Sequence, residues 1–274
     1  MPAVNPVADA GPHLRHSDAD VAAHVDMLEE RVFQIRTRWP HFRLLLNDLK
    51  ELARALPDGA KVISLERTLL YGGISLFAPL FSRQKFISVD CSPEVANERG
   101  AYNAWMVDDA RVIRIPYSVR GTELDTGLPD GSADLVLVPN LVHHVADQER
   151  LFDEMARITH SGGRLYVFEP LLRELHQIPE DYLRYTPYGL QRVMARRGLI
   201  ADEPHLEGGP FSAAAYCMDQ ALQYFPPEKR QEMQRWFDSE FFPNLIKWDE
   251  ENPANLVRKH TSFPVAFSIL AHKR

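Results

Sequence analysis

Cysteine, clustered positive charge and long apolar runs are all scarce in this chain, and each shortage removes a class of protein. Cys91 and Cys217 are its only cysteines, which makes neither a disulfide framework nor a paired metal-ligand spacing. A reducing, cytoplasmic setting is expected. The formal charge is -7, with no long basic run, which argues against a nucleic-acid backbone as partner because phosphate binding is driven by clustered Lys and Arg. No charged-then-apolar leader pattern and no apolar run of membrane-spanning length is present, so neither targeting nor a membrane span is expected. No Gly-x-Gly-x-x-Gly follows a strand pattern, which makes a nicotinamide enzyme the weakest reading. The 11 histidines are scattered, and the adjacent His143 and His144 would point apart on an extended chain, so no metal site is expected.

What is present is concentrated between Leu128 and Pro170. Leu135-Val136-Leu137-Val138 is a short, apolar, β-rich run, whereas Leu151, Met155 and Ile158 recur at helical spacing. A Gly-Gly turn and a second apolar run, Arg164 to Phe168, follow. The period switches from strand to helix and back, which is one βαβ unit. Its polar crest, Asn140 to His144, falls at the carboxyl end of a strand, where open α/β sheets bind ligands.

The same rhythm extends through much of the chain. Residues 1–16 read as a loose arm rich in Pro, Ala and Gly, and residues 17–59 as N-terminal helices, the first capped by Ser17-Asp18 and the second spanning Phe42 to Leu56. Strands are expected at Lys61–Glu66, Lys85–Asp90, Arg111–Ile115, Leu135–Val138 and Arg164–Phe168, with helices at Ile74–Phe81, Pro93–Trp105 and Leu190–Arg197. A sixth strand is expected near Ile200, and Pro264 to Ala271 reads as a last one. Residues 60–274 therefore form one doubly wound, Rossmann-like, seven-stranded and mostly parallel sheet, with an aromatic-rich helical insertion over about 211–250. That insertion reads as a cover for an acceptor pocket or as a homodimer surface; packing on its own domain is the commoner outcome.

Three signatures make residues 60 to 198 resemble the class I S-adenosylmethionine-dependent methyltransferases: Phe86-Ile-Ser-Val-Asp90, Leu128-Pro-Asp-Gly-Ser-Ala-Asp134 with its strand, and Arg157-Ile-Thr-His-Ser-Gly-Gly163. The resemblance implies S-adenosylmethionine as cofactor, with Asp90 on the ribose hydroxyls. A carboxylate directly after an apolar strand can accept two hydrogen bonds from a vicinal diol, although Asp90 can also cap the Ser92-Pro93 turn. The segment Ile178 to Leu190 is similar to members placed in glycan and polysaccharide pathways, which implies a small-molecule or sugar acceptor methylated at oxygen.

The first loop departs from that family pattern. Where an acidic-x-Gly-x-Gly turn belongs, the chain runs Glu66-Arg67-Thr-Leu-Leu-Tyr-Gly72-Gly73. One reading keeps the cofactor, with Glu66 on its ammonium, Arg67 on its carboxylate and Gly72 and Gly73 opening a helix. The other is a methyltransferase-like scaffold without catalysis that binds or dimerises. Asp125 is the candidate for the base-recognising acid, and Asn140 for a further cofactor contact. His144, and after it His143, are candidate general bases, since imidazole titrates near working pH; a histidine merely satisfied by a backbone carbonyl is the alternative. Tyr182, Arg184 and Tyr185 are candidates for substrate binding, with a plain structural lid as the alternative, while Thr186-Pro187 reads as a helix cap.

Overall fold

The computed structural model describes residues 16–34, 41–67, 74–91, 109–251 and 263–274. Helices α1 (Asp18–Gln34) and α2 (His41–Ala55) lead into β1 (Lys61–Glu66). Then come β2 (Ile74–Ser75), β3 (Lys85–Asp90), β4 (Ile115–Pro116), β5 (Val119–Arg120) and β6 (Ala133–Pro139). Helix α3 (Gln148–Ile158), β7 (Thr159–Pro170), α4 (Pro187–Ala195), β8 (Leu199–Ala201) and β9 (His205–Glu207) follow. The chain ends with α5 (Pro210–Leu222), α6 (Pro227–Trp236), α7 (Phe242–Glu251) and β10 (Ala266–Lys273).

The main sheet runs β5-β3-β1-β6-β7-β10-β8, with β9 also paired to β10. Strands β5, β3, β1, β6 and β7 run parallel to one another, and β10 is antiparallel to β7, β8 and β9. This is the doubly wound, mostly parallel sheet expected. After β1 the chain builds outward through β3 and β5, then crosses to β6 on β1's other side. Open α/β sheets bind ligands in the crevice at such a switch point, beyond the carboxyl ends of the strands.

Period-two alternation divides the core into two faces. Val62, Leu135, Leu137, Tyr166 and Phe168 join one buried cluster with Leu45 and Leu49 of α2. Ile63, Leu65, Val136, Val138, Leu165 and Val167 join the other, with Leu151 and Met155 of α3 and Leu190 and Met194 of α4. Strands buried on both faces carry apolar residues at every position, as Leu135 to Val138 do. Arg157 fastens the approach to β6: its guanidinium donates to the Leu128 carbonyl at 2.8 Å and to Asp130 at 2.6 Å.

Several elements match expectation to within two residues, among them β1, β3 and α2, and Ser17 caps α1 by accepting from the Asp20 amide at 3.1 Å. Thr186 caps α4 through the Gly189 amide at 3.2 Å. Two expectations are corrected. Ile74–Phe81 is not one helix: Ile74 and Ser75 pair with Pro116 and Ile115, and only Ala78–Phe81 makes a 3₁₀ turn. Ser75 Oγ accepts from the Ala78 amide at 3.1 Å, so a side chain competes with the helical bond there. The third strand is not Arg111–Ile115 but Val119–Arg120, which pairs with Val89 and Asp90. Arg111 is drawn away by Asp109 and Glu30, and Pro116 lacks the N–H a ladder requires. The arm up to residue 15, Gly72 and Gly73, and the expected helix Pro93–Trp105 lie outside the described residues.

The insertion over residues 210–251 is three helices with a π turn, Phe237–Phe241, between the last two. Ala215, Leu222, Phe237 and Leu245 give it a small core of its own. Among the described residues, no helix is long and apolar enough to cross a membrane.

Candidate active site at the carboxyl edge of the sheet

Glu66 and Asp90 end adjacent parallel strands and sit opposite one another in register. Glu66 is buried; its Oε1 accepts from Ser75 Oγ at 2.9 Å, while its Oε2 has no hydrogen-bond partner among the described residues. Burial, with the Asp90 charge adding to it, pushes the Glu66 carboxyl up to about 7. Across β1 on the other side, β6 runs out into Asn140, which takes a left-handed backbone conformation (φ 59°) that asparagine tolerates better than most residues. Its amide donates to the Phe168 carbonyl at 2.8 Å, and its buried Oδ1 is also without a partner.

The bend at Asn140 leads into a 3₁₀ turn, Val142–His144, that aims both histidines inward. Their ring centroids are 3.9 Å apart, so the expectation that adjacent histidines point apart is corrected: it assumed an extended chain, and the backbone here is helical. His143 Nδ1 meets Glu169 Oε2 at 2.7 Å. Glu169, at the end of β7, also accepts from the amides of Val142 at 2.8 Å and His143 at 3.2 Å. Burial pushes Glu169 up to about 8, against those two amide donors that favour its ionised form. His143 Nε2 lies 3.3 Å from His176 Nε2. His144 Nδ1 donates to the Glu180 carbonyl, and its Nε2 is buried without a partner among the described residues. Burial lowers the basicity of all three imidazoles, so they are neutral at pH 7.

The chain after β7 closes over this crest. The Tyr182 amide donates to the His143 carbonyl at 2.9 Å, and buried Arg67 bonds Glu180 at 2.6 Å and Gln177 at 3.4 Å. Arg184 pairs with Asp181, whose Oδ2 accepts from the His176 amide at 3.0 Å. The guanidinium expected to meet substrate here bonds Asp181, which in turn holds the His176 amide. Tyr182 is half exposed on this cover, whereas Tyr185 packs against the core beneath it. Asp125 stands apart, exposed in a tight turn where its carboxylate accepts from the Gly127 amide at 3.1 Å.

Glu169 and His176 are the residues sequence reasoning missed. Glu169 carried a readable signal, an acidic residue closing an apolar strand just as Asp90 does. His176 carried none: it sits in an irregular segment, 32 positions past His144, and only the fold brings it near.

Acidic strand ends and a polar crest stand at the switch point of this doubly wound sheet, the place where open α/β sheets bind ligands. Residues 72–167 match the family model of the methyltransferase domain. Ajmaline N-methyltransferase of Rauvolfia serpentina is 36% identical over 55 residues, a stretch covering 20% of this chain and 19% of that protein. Among solved structures, the Haemonchus contortus phosphoethanolamine N-methyltransferase 2 in complex with S-adenosyl-L-methionine matches at 15% identity with a TM-score of 0.48, over 98% of this chain and 60% of that one. An S-adenosylmethionine-dependent methyltransferase from Aquifex aeolicus matches at 15% identity and a TM-score of 0.44, over 67% of this chain and 91% of that one.

Proposed function

We propose that this protein transfers a methyl group from S-adenosylmethionine to a hydroxyl of a small-molecule or glycan acceptor. The observation that supports the cofactor is the pair of buried oxygens without a partner among the described residues, Glu66 Oε2 and Asn140 Oδ1, at the switch point of a sheet whose region 72–167 matches the methyltransferase domain model. Buried acceptors without donors are rare, and an ammonium offers three donors. The residues present therefore fit the methionine end of the cofactor, with Asp90 on the ribose diol and Arg67 exchanging Glu180 for the cofactor's carboxylate. Bound there, the cofactor supplies an electrophilic methyl group on sulfonium sulfur.

The protein's own task is to align the acceptor in line with that methyl group, exclude water and remove a proton. The segment around Tyr182 covers the crest and supplies exclusion. His144 is proposed to take the acceptor's hydroxyl proton at Nε2, because its Nδ1–H is already given to the Glu180 carbonyl and Nε2 keeps its lone pair.

Calorimetric titration with S-adenosylhomocysteine tests the cofactor. Micromolar binding that Asp90→Ala weakens by roughly 30-fold, about 2 kcal/mol, is expected. Absence of heat at high protein concentration sinks the proposal and leaves the non-catalytic scaffold.

A further inference from the structure

We propose that His143, His144 and His176 form a buried site for one divalent transition-metal ion of the Zn²⁺ class. Ion binding is independent of the methyl-transfer reading; the chemistry given to the ion below rests on that reading. One ring nitrogen from each residue lies within 4.8 Å of those from the other two, and all three residues are buried.

The hydrogen bonds fix which nitrogens face inward. His144 Nδ1 meets the Glu180 carbonyl and His176 Nδ1 meets the Glu174 carbonyl at 3.0 Å. A carbonyl only accepts, so each Nδ1 carries the proton and each neutral ring presents a bare Nε2. His143 shares one proton with Glu169 across the Nδ1 contact; an ion at Nε2 would draw that proton onto Nδ1 and leave the carboxylate ionised, so that this Nε2 is bare as well. Bare nitrogens facing one another repel unless something positive lies between them. The 3.3 Å between Nε2 of His143 and Nε2 of His176 is long for a hydrogen bond. It equals the roughly 3.3 Å separating two imidazole nitrogens bound about 2.0–2.1 Å from a tetrahedral ion. His144 Nε2, buried and without a partner among the described residues, is the third ligand atom.

Outer support is already built. Metal-binding histidines typically give their second N–H to a carboxylate or a main-chain carbonyl, and each of these three rings has its Nδ1 held by such an oxygen. Asp181, itself fixed by Arg184, braces His176 further. An all-imidazole donor set suits Zn²⁺, Cu²⁺, Ni²⁺ or Fe²⁺, and excludes Mg²⁺ and Ca²⁺, which take oxygen. Three protein ligands leave a fourth position open, the arrangement of catalytic rather than structural zinc. An acceptor hydroxyl in that position is acidified, its proton passing to solvent, so the three lone pairs act through the ion in place of His144 alone.

The test uses the full-length protein, stripped with a chelator and titrated with Zn²⁺ and with Co²⁺. One Zn²⁺ per chain with a dissociation constant below micromolar is expected, and Co²⁺ should give visible d–d absorption without a thiolate charge-transfer band. His176→Ala should weaken Zn²⁺ binding by roughly 100-fold or more. His176→Cys, which keeps a ligand, should retain Co²⁺ and add sulfur-to-cobalt charge transfer, so the question is decided even if the alanine variant does not fold. His272→Ala, an exposed histidine paired with Asp202, should bind Zn²⁺ as the parent does. No binding of either ion to the parent, or binding untouched by both His176 substitutions, overturns the proposal. Titration of the metal-free protein with S-adenosylhomocysteine separates the two readings: homocysteine-product binding without metal binding sinks this site alone, and the reverse sinks the methyl-donor reading alone.

Discussion

Two buried polar clusters sit on this sheet, and they are built differently. Behind it, Asp48 of α2 accepts from the Tyr166 hydroxyl at 2.9 Å, from Ser268 and from His205 at 3.0 Å, so both its oxygens are partnered. At the carboxyl edge, Glu66 Oε2, Asn140 Oδ1 and His144 Nε2 are buried with no partner among the described residues. A polar group buried for architecture is satisfied by its neighbours, because leaving it unpaired costs about 1–3 kcal/mol. Under the proposed function, the groups left unpaired at this strand edge are the ones a bound ligand would satisfy. The Asp48 cluster joins helix to sheet; the edge cluster is where the proposed chemistry falls.

The sharpest way to break this contrast is pH. Glu66 is raised from 4.5 to about 7 by burial and by Asp90. A carboxyl raised in the folded state binds more protons there than when unfolded, so stability falls as pH rises from about 4.5 to about 7 and levels off above. The loss is on the order of 3 kcal/mol at most. Urea unfolding at pH 5 and pH 8 measures it, and Glu66→Gln should abolish Glu66's share of the difference; an unchanged slope refutes the burial argument.

Asp48→Ala should cost about 2 kcal/mol, since it strands the Tyr166 hydroxyl in the core, and should lower the melting temperature while leaving S-adenosylhomocysteine affinity alone. Tyr166→Phe removes the donor instead and should cost about 1 kcal/mol. The edge should behave in the opposite sense. Asn140→Gly preserves the left-handed backbone and deletes an oxygen that bonds nothing, so stability should stay within about 0.5 kcal/mol while S-adenosylhomocysteine affinity falls several-fold. A large loss of stability without loss of affinity would place Asn140 among the architectural groups.

Most of the sheet was legible in the sequence because its signals are local. Lys61–Glu66 and Lys85–Asp90 are apolar runs closed by a carboxylate, and strand burial on both faces leaves little choice of composition. The strands that escaped, Ile74–Ser75 and Val119–Arg120, are two residues long and have no period to read. Half of the candidate site was legible for the same reason: Glu66, Asp90 and Asn140 follow strands, and sheet edges are where strands deliver polar residues.

By itself, the sequence determined the alternation of strand and helix, the sheet that results, and the acidic strand ends, because each depends on neighbours within about ten positions. Tertiary structure alone decided that Glu169 reaches back to His143, that Arg67 meets Glu180, that Arg184 pairs with Asp181, and that His176 completes a triad with a histidine pair far behind it in the chain. Those contacts join residues 26 to 113 positions apart, apart from the short-range Arg184 pair. Their geometry comes from packing and from one left-handed bend at Asn140, neither of which any local period encodes.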